Sequence, residues 1–158
     1  MNQQKMFKYK GAEALIALHR LHILSFVNTW KSAKAANIKL PETDDEWYAS
    51  IDMLGRHILN SARGYNIWIC KKLELPEPEI IPAPQAEELP YKIDEYTEHL
   101  LENWGLQLCD VPEDKFHGQT YTSNWGVEYC VDAMMEHAVM HPIRHEFQLI
   151  NLTNAQKK

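Results

Sequence analysis

Apolar side chains recur every three or four residues over 7–30, through Leu15, Leu18, Leu21, Leu24 and Val27, and this period predicts an amphipathic first helix. After a break around Pro41, Thr43 followed by Glu46 has the pattern of a capping box, and a second helical run extends over 47–73. Five of the eight prolines (Pro76, Pro78, Pro82, Pro84 and Pro90) then fall within residues 75–91. Their fixed φ and missing backbone N–H exclude a helix interior or a central strand there. Helical spacing returns over 93–108, through Tyr96, Leu100, Trp104 and Leu108, and again over 125–152 after a polar stretch at 110–124. The expectation is an all-α fold of four helices, with residues 1–158 forming one domain.

Connection lengths bear on topology. A proline-rich segment of about 17 residues reaches roughly 50 Å at ~3.1 Å per residue, enough to cross a whole bundle. It therefore permits helices two and three to run parallel, giving a four-helix bundle of up-down-down-up order with the crossover between them. The stretch at 110–124 is nearly as long and admits a crossover as well.

Composition narrows the function classes. The 158 residues are 45% apolar, sufficient for one core. Lys and Arg total 16 against 22 Asp and Glu, a net charge of -6, and no basic block interrupts that balance. Nucleic acid and anionic membranes are not expected partners. The apolar run at 12–27 is interrupted by His19, Arg20, His22 and Ser25, so it reads as an amphipathic helix and not as a signal or membrane span. Cys70, Cys109 and Cys130 are odd in number and contain no CxxC pair. That usage argues against a disulfide framework or a thiolate zinc site and suits a reducing cytoplasm.

Candidate chemistry concentrates in the last helix. His141 and His145 lie four residues apart, so their imidazoles project from one face with Cβ atoms about 5–6 Å apart and can chelate one ion. Cys130, Met134, Ala138, Gln148 and Leu152 share that face, whereas Asp132, Glu136 and Glu146 fall elsewhere, so the pair is expected to point inward. Pro142 takes away the donor that would bond the Ala138 carbonyl. Its distortion falls before the pair, which favours His141 and His145 over His137. The second helix offers His57, on a face with Met53, Asn60, Gly64 and Trp68; read alone, such a histidine is more commonly a hydrogen-bonded core residue. Asn60 and Gln148 are candidates to hold the free nitrogen of a ligand imidazole or to touch a substrate. His19, His22 and His99 are read as hydrogen-bonding residues and His117 as exposed. Trp68, Trp104 and Trp125 are read as core or as a pocket wall, and Arg56 and Arg144 as surface ion pairs or receivers of an anion.

His57 with Trp68 about three turns later, and His141-x-x-x-His145-x-x-Gln148 in the last helix, occur in a chain of four helices with a long second connection. This combination resembles the DinB/YfiT-like family of bacterial helical metalloproteins over nearly the whole chain. Pro142 inside the motif departs from the usual pattern. The resemblance implies an up-down-down-up bundle, a metal site of His57, His141 and His145, and a homodimer. It also implies activities in which thiol-dependent transferases are prominent and hydrolases and isomerases less common. No histidine here has Glu three positions before it, as carboxylate-bridged two-metal bundles require, and no HExxH is present. Three neutral imidazoles leave a divalent ion its double charge and an open position at which water or a thiol is acidified. Zinc or nickel is the expected ion, with iron or manganese also compatible. The functional expectation is S-transfer to a small-molecule substrate from a low-molecular-weight thiol. A metal-dependent hydrolase and a non-catalytic homodimeric metal-binding protein are the alternatives.

Overall fold

The computed structural model describes residues 6–156. In chain order they form α1 (Lys10–Ala35), α2 (Ile51–Lys72), α3 (Leu89–Asn103), the single-turn α4 (Asp114–His117), strands β1 (Thr120–Thr122) and β2 (Glu128–Cys130), and α5 (Val131–Gln156). The protein is mostly helical, and the two strands form one antiparallel hairpin in which Tyr121 faces Tyr129.

Helix boundaries follow local chemistry more than periodicity. The second helix does not begin at a Thr43/Glu46 capping box. Asp45 instead caps a single 3-10 turn, Glu46–Tyr48, by accepting from the Trp47 N–H, and α2 starts afresh behind extended Ser50, whose hydroxyl accepts from the Met53 N–H. Pro90 sits in the first turn of α3, where its absent N–H would have had no helical partner. That helix stops at extended Trp104, followed by Gly105 at φ 80°. The last helix begins six residues later than residue 125. Gly126 at φ 83° turns the chain between β1 and β2, and Trp125, Val127 and Tyr129, spaced by two, belong to the hairpin.

The proline-rich connection is a packed strap. It runs back along α2 from its C-terminal to its N-terminal half, with Arg63 Nε donating to the Ile80 carbonyl (2.7 Å) and Arg56 Nε to the Pro84 carbonyl (3.1 Å). Asn60 Oδ1 receives the Ala83 N–H, and His99 Nε2 the Ile81 N–H from the other side. Ile80 and Ala83 are buried beneath it. The strap delivers Leu89, at the start of α3, to Gly55 near the start of α2, where a Cβ would lie 2.6 Å from Trp30 Nε1 and 2.9 Å from Leu89 Cδ2. Glycine lets three helices meet at this point, and the Trp30 indole N–H donates to the Ile51 carbonyl (2.7 Å) beside it.

Between α1 and α5 the residue numbers of bonded partners rise together. Tyr9 meets Asp132, Ser25 and Thr29 meet Glu146, and Lys39 pairs with Gln156. The buried stripe of α1 is His19, Ile23, Phe26 and Trp30, and the repeating Leu18, Leu21 and Leu24 are 43%, 58% and 42% exposed on another face. Among the described residues no disulfide forms, and no helix is long and apolar enough to cross a membrane.

His19 departs from its expected hydrogen-bonding role. It is fully buried, stacks on Trp104 at a centroid distance of 4.0 Å, and neither ring nitrogen has a hydrogen-bond partner. Burial, with a smaller contribution from His22, lowers its pKa to about 3. The unfolded chain, with an ordinary histidine near 6.5, therefore binds the extra proton between these values. The stability that His19 confers as a neutral ring is complete above pH 6.5 and is lost as the pH falls toward 3, by up to about 1.4 kcal/mol per pH unit. His19→Phe, which keeps the stack on Trp104, should flatten the acid limb of a denaturant-midpoint-versus-pH curve by close to one proton. An unchanged slope would remove His19 as its source.

Candidate metal centre

The three histidines singled out by spacing converge. One nitrogen from each of His57, His141 and His145 lies within 4.8 Å of the other two. The rings are mutually close to perpendicular. His57 and His141 centroids are 5.1 Å apart at 80°, His57 and His145 5.8 Å at 85°, and His141 and His145 4.9 Å at 89°. Edge-to-face packing is common between aromatic rings, and what marks this corner is that all three rings turn a nitrogen toward the same point. A tetrahedral ion with bonds of about 2.0–2.1 Å needs its nitrogens about 3.4 Å apart, so a small closure of side chains completes the site.

Each ring reaches the corner for a local reason. α5 runs through Pro142 without interruption, and the i, i+4 spacing keeps His141 and His145 on the side toward α2. Glu146, one residue on, points to α1, where its carboxylate accepts from Ser25 Oγ (2.6 Å) and Thr29 Oγ1 (2.9 Å). His57 lies in the first half of α2 with Trp47 stacked on it at 4.9 Å. Asp45 exerts an attraction that raises the proton affinity of both His57 and His145.

The donor set suits a cation that accepts lone pairs. Burial, then the neighbouring His145, lowers the His57 pKa to about 4, and burial likewise lowers His141 and His145. All three are neutral near pH 7, as ligands must be. His145 Nδ1 lies 2.9 Å from Gln148 Oε1, which also accepts from the Tyr48 hydroxyl at 2.7 Å. An amide oxygen only accepts, so Nδ1 carries the ring proton and Nε2 keeps the free lone pair. His141 Nδ1 is sealed from solvent and has no partner, an arrangement that costs about 1–3 kcal/mol when left unsatisfied.

The remaining candidates separate cleanly. Gln148 touches a candidate ligand; Asn60 does not, being bonded to the strap and facing a cavity beside His57. His137 stays outside the corner, stacked on Trp125 at 5.2 Å and edged by Tyr65 and Tyr129. Trp68 and Trp125 line the cavity next to His57, while Trp104 is core, its N–H bonded to the Ala62 carbonyl. Arg56 is spent on the strap. Arg144 makes no ion pair among the described residues and lies close enough to depress His137, His141 and His145. Cys70 is buried, its thiol pushed up to about 11, which makes it a poor nucleophile. Spacing missed Asp45, Trp47 and Tyr48 because they precede α2 in a turn whose placement over the histidines is a tertiary contact. It missed the Tyr65 phenol, near His141, because an aromatic residue at helical spacing reads as core.

No family model, curated protein or solved structure matches the chain.

If Gln148 holds the His145 ring, Gln148→Leu should weaken divalent-metal affinity by about 10- to 100-fold in a chelator competition, with little change in thermal midpoint. Equal affinity in the two proteins would show that the amide does not orient the ligand.

Proposed function

We propose that this chain is a DinB/YfiT-type four-helix bundle of up-down-down-up order. In this reading it binds one divalent ion, zinc or nickel first, through His57, His141 and His145, and transfers a low-molecular-weight thiol to a small electrophilic substrate. The carrying observation is the convergence of one nitrogen from each of three neutral imidazoles, with His145 bonded to Gln148 and a buried His141 nitrogen lacking any protein partner. The topology is supported by the pairing of α1 with α5 in the same sense and by the strap that returns the chain so that α3 starts beside the start of α2. A divalent ion held there supplies Lewis acidity, lowering the proton affinity of a thiol or water that reaches its open position.

The chain's own residues divide the remaining work. Arg144, without an ion pair among the described residues, offers a cation to the carboxylates that such thiols carry. The Tyr65 phenol, raised to about 12 chiefly by burial, stays protonated and can donate a hydrogen bond to a developing charge near His141. In the transfer, sulfur bonds to the electrophilic carbon, its proton passes to solvent, and the leaving group departs with the bonding pair. The second reading, metal-dependent hydrolysis, draws on Asp45, the carboxylate whose charge is felt at His57 and His145 and which is the group of the right chemistry to take a proton from water.

Protein purified without chelators should carry about one equivalent of divalent metal, and His145→Ala should lose it. Absence of metal in the wild type, with no effect of His145→Ala on metal uptake, would remove the site and both reactions. With metal bound, thiol consumption by an electrophile that stops on metal depletion supports transfer. Thiol-independent hydrolysis supports the second reading, and no turnover of either kind leaves a binding protein.

The homodimer belongs to the same proposal, together with a cytoplasmic setting, which suits cysteines that form no disulfide among the described residues. Leu21 on α1 (58% exposed) and Phe147 on α5 (65%) carry apolar surface on helices that pack together. Sedimentation equilibrium should show a dimer in the wild type and a monomer for Leu21→Glu combined with Phe147→Glu. A wild-type monomer would overturn the dimer and leave the metal proposal standing.

A further inference from the structure

A cavity of about 310 Å³ opens beside His57, between α2, the start of α5 and the turn of the β1–β2 hairpin. Its walls are aromatic. Tyr65 and Trp68 come from α2, and Trp125 is carried in by the hairpin turn and held there by its stack on His137. The hairpin is pinned in turn by the Trp68 indole N–H, which donates to the Thr122 carbonyl, and by the Ser123 and Val127 bonds that close its turn. Met134, fully buried, contributes an apolar wall. Gly64 lies at the exposed rim, and a Cβ built there would meet nothing within 4 Å.

The polar groups around this space are neutral and underused. Asn60 spends its oxygen on the Ala83 N–H and retains its amide N–H groups. Among the described residues the Ser61 hydroxyl, the Asn124 amide, the Trp125 indole N–H and the Tyr65 phenol make no hydrogen bond, although Tyr65 as a whole is only 9% exposed. None of the lining residues is Lys, Arg, Asp or Glu. A charged ligand would lose its hydration here with no charged side chain in the lining to replace it. A flat ring gains by stacking on aromatic faces and satisfies the amides with one polar substituent. The volume lies at the low end for small-molecule sites, which limits the occupant to one or two rings.

We infer that this cavity binds an uncharged planar aromatic molecule bearing a hydrogen-bonding substituent, and that it is the acceptor side of the histidine centre, with His57 shared between the two. The ligand class rests on the cavity alone. Its role as acceptor rests on the metal-dependent reading above. Division of labour follows from charge: an anionic thiol has Arg144 on the α5 side, and the neutral acceptor has the aromatic slot on the α2 side.

The test is calorimetric titration of the full chain with 2-naphthamide, its decahydro analogue and 2-naphthoate, each first on chelator-treated protein and then with zinc added. The expected result is saturable one-to-one binding of 2-naphthamide to the metal-free chain, with the saturated amide and the carboxylate at least tenfold weaker. Gly64→Leu, which fills the rim, and Trp125→Ala, which removes the hairpin wall, should each weaken 2-naphthamide at least tenfold and leave zinc content unchanged. Trp125 is half exposed in a turn, so its variant keeps the test valid if Gly64→Leu does not fold. No saturable binding of 2-naphthamide, equal binding of the saturated amide or the carboxylate, or indifference to both substitutions would overturn the assignment. Because binding is read without metal, loss of zinc binding with 2-naphthamide binding intact would sink the metal reading and spare the cavity. The reverse result would sink the cavity alone.

Discussion

The rotational setting of α5 about its own axis depends on one carboxylate. Glu146 receives hydrogen bonds from Ser25 and Thr29, successive turns of α1, and it does so one residue after His145. Adjacent helical positions are about 100° apart, so fixing Glu146 against α1 turns His145, and His141 one turn earlier, toward α2. A charged acceptor with two hydroxyl donors is more directional than the apolar packing along the same seam. The helix faces therefore do separate jobs: one anchors and the next presents imidazoles.

The second constraint is the strap. A proline-rich chain has few backbone donors, so it cannot pair as a strand and depends on side chains of its neighbours for order. Arg56, Asn60 and Arg63 on α2 supply those partners, with His99 and Tyr96 from α3 closing over the other side. Arg56, expected as an anion receiver or a surface ion pair, is thus structural, as is Arg63. The ordered strap sets where α3 begins, and the Gly55 contact with Leu89 and Trp30 lets it begin close.

Much of this was legible in the amino-acid pattern, and the rest was hidden for identifiable reasons. His141 and His145 were readable because an i, i+4 pair has only one geometry on a helix, and they fall in one cluster with His57 while His137 lies outside it. His57 was readable only in company, since a lone histidine on an apolar face has many uses. The hairpin was not readable: Trp125, Val127 and Tyr129 run directly into the helical pattern of α5, and only the left-handed Gly126 separates the two periods. The exposed Leu18, Leu21 and Leu24 show the converse problem, because α1 carries apolar residues on more than one face and periodicity alone does not say which is buried. His19 defeats the rule that buried polar groups are bonded; its stack on Trp104 takes the place of a donor or acceptor. Asp45, Trp47 and Tyr48 reach the histidines through a fold-back that no local pattern encodes.

The pairing of the first helix with the last has a consequence for the order of events during synthesis. Tyr9 meets Asp132 and Ser25 meets Glu146 across separations of 123 and 121 residues, so these contacts close the longest loops in the chain. Local helices and the strap along α2 can form while the chain is still growing, but the side of α1 that packs on α5 waits uncovered until α5 has been made. The same late event brings two of the three imidazoles to His57. Any ligand that requires all three rings thus selects chains in which α5 has docked over those in which it has not, and it adds its binding free energy to the most distant of these closures.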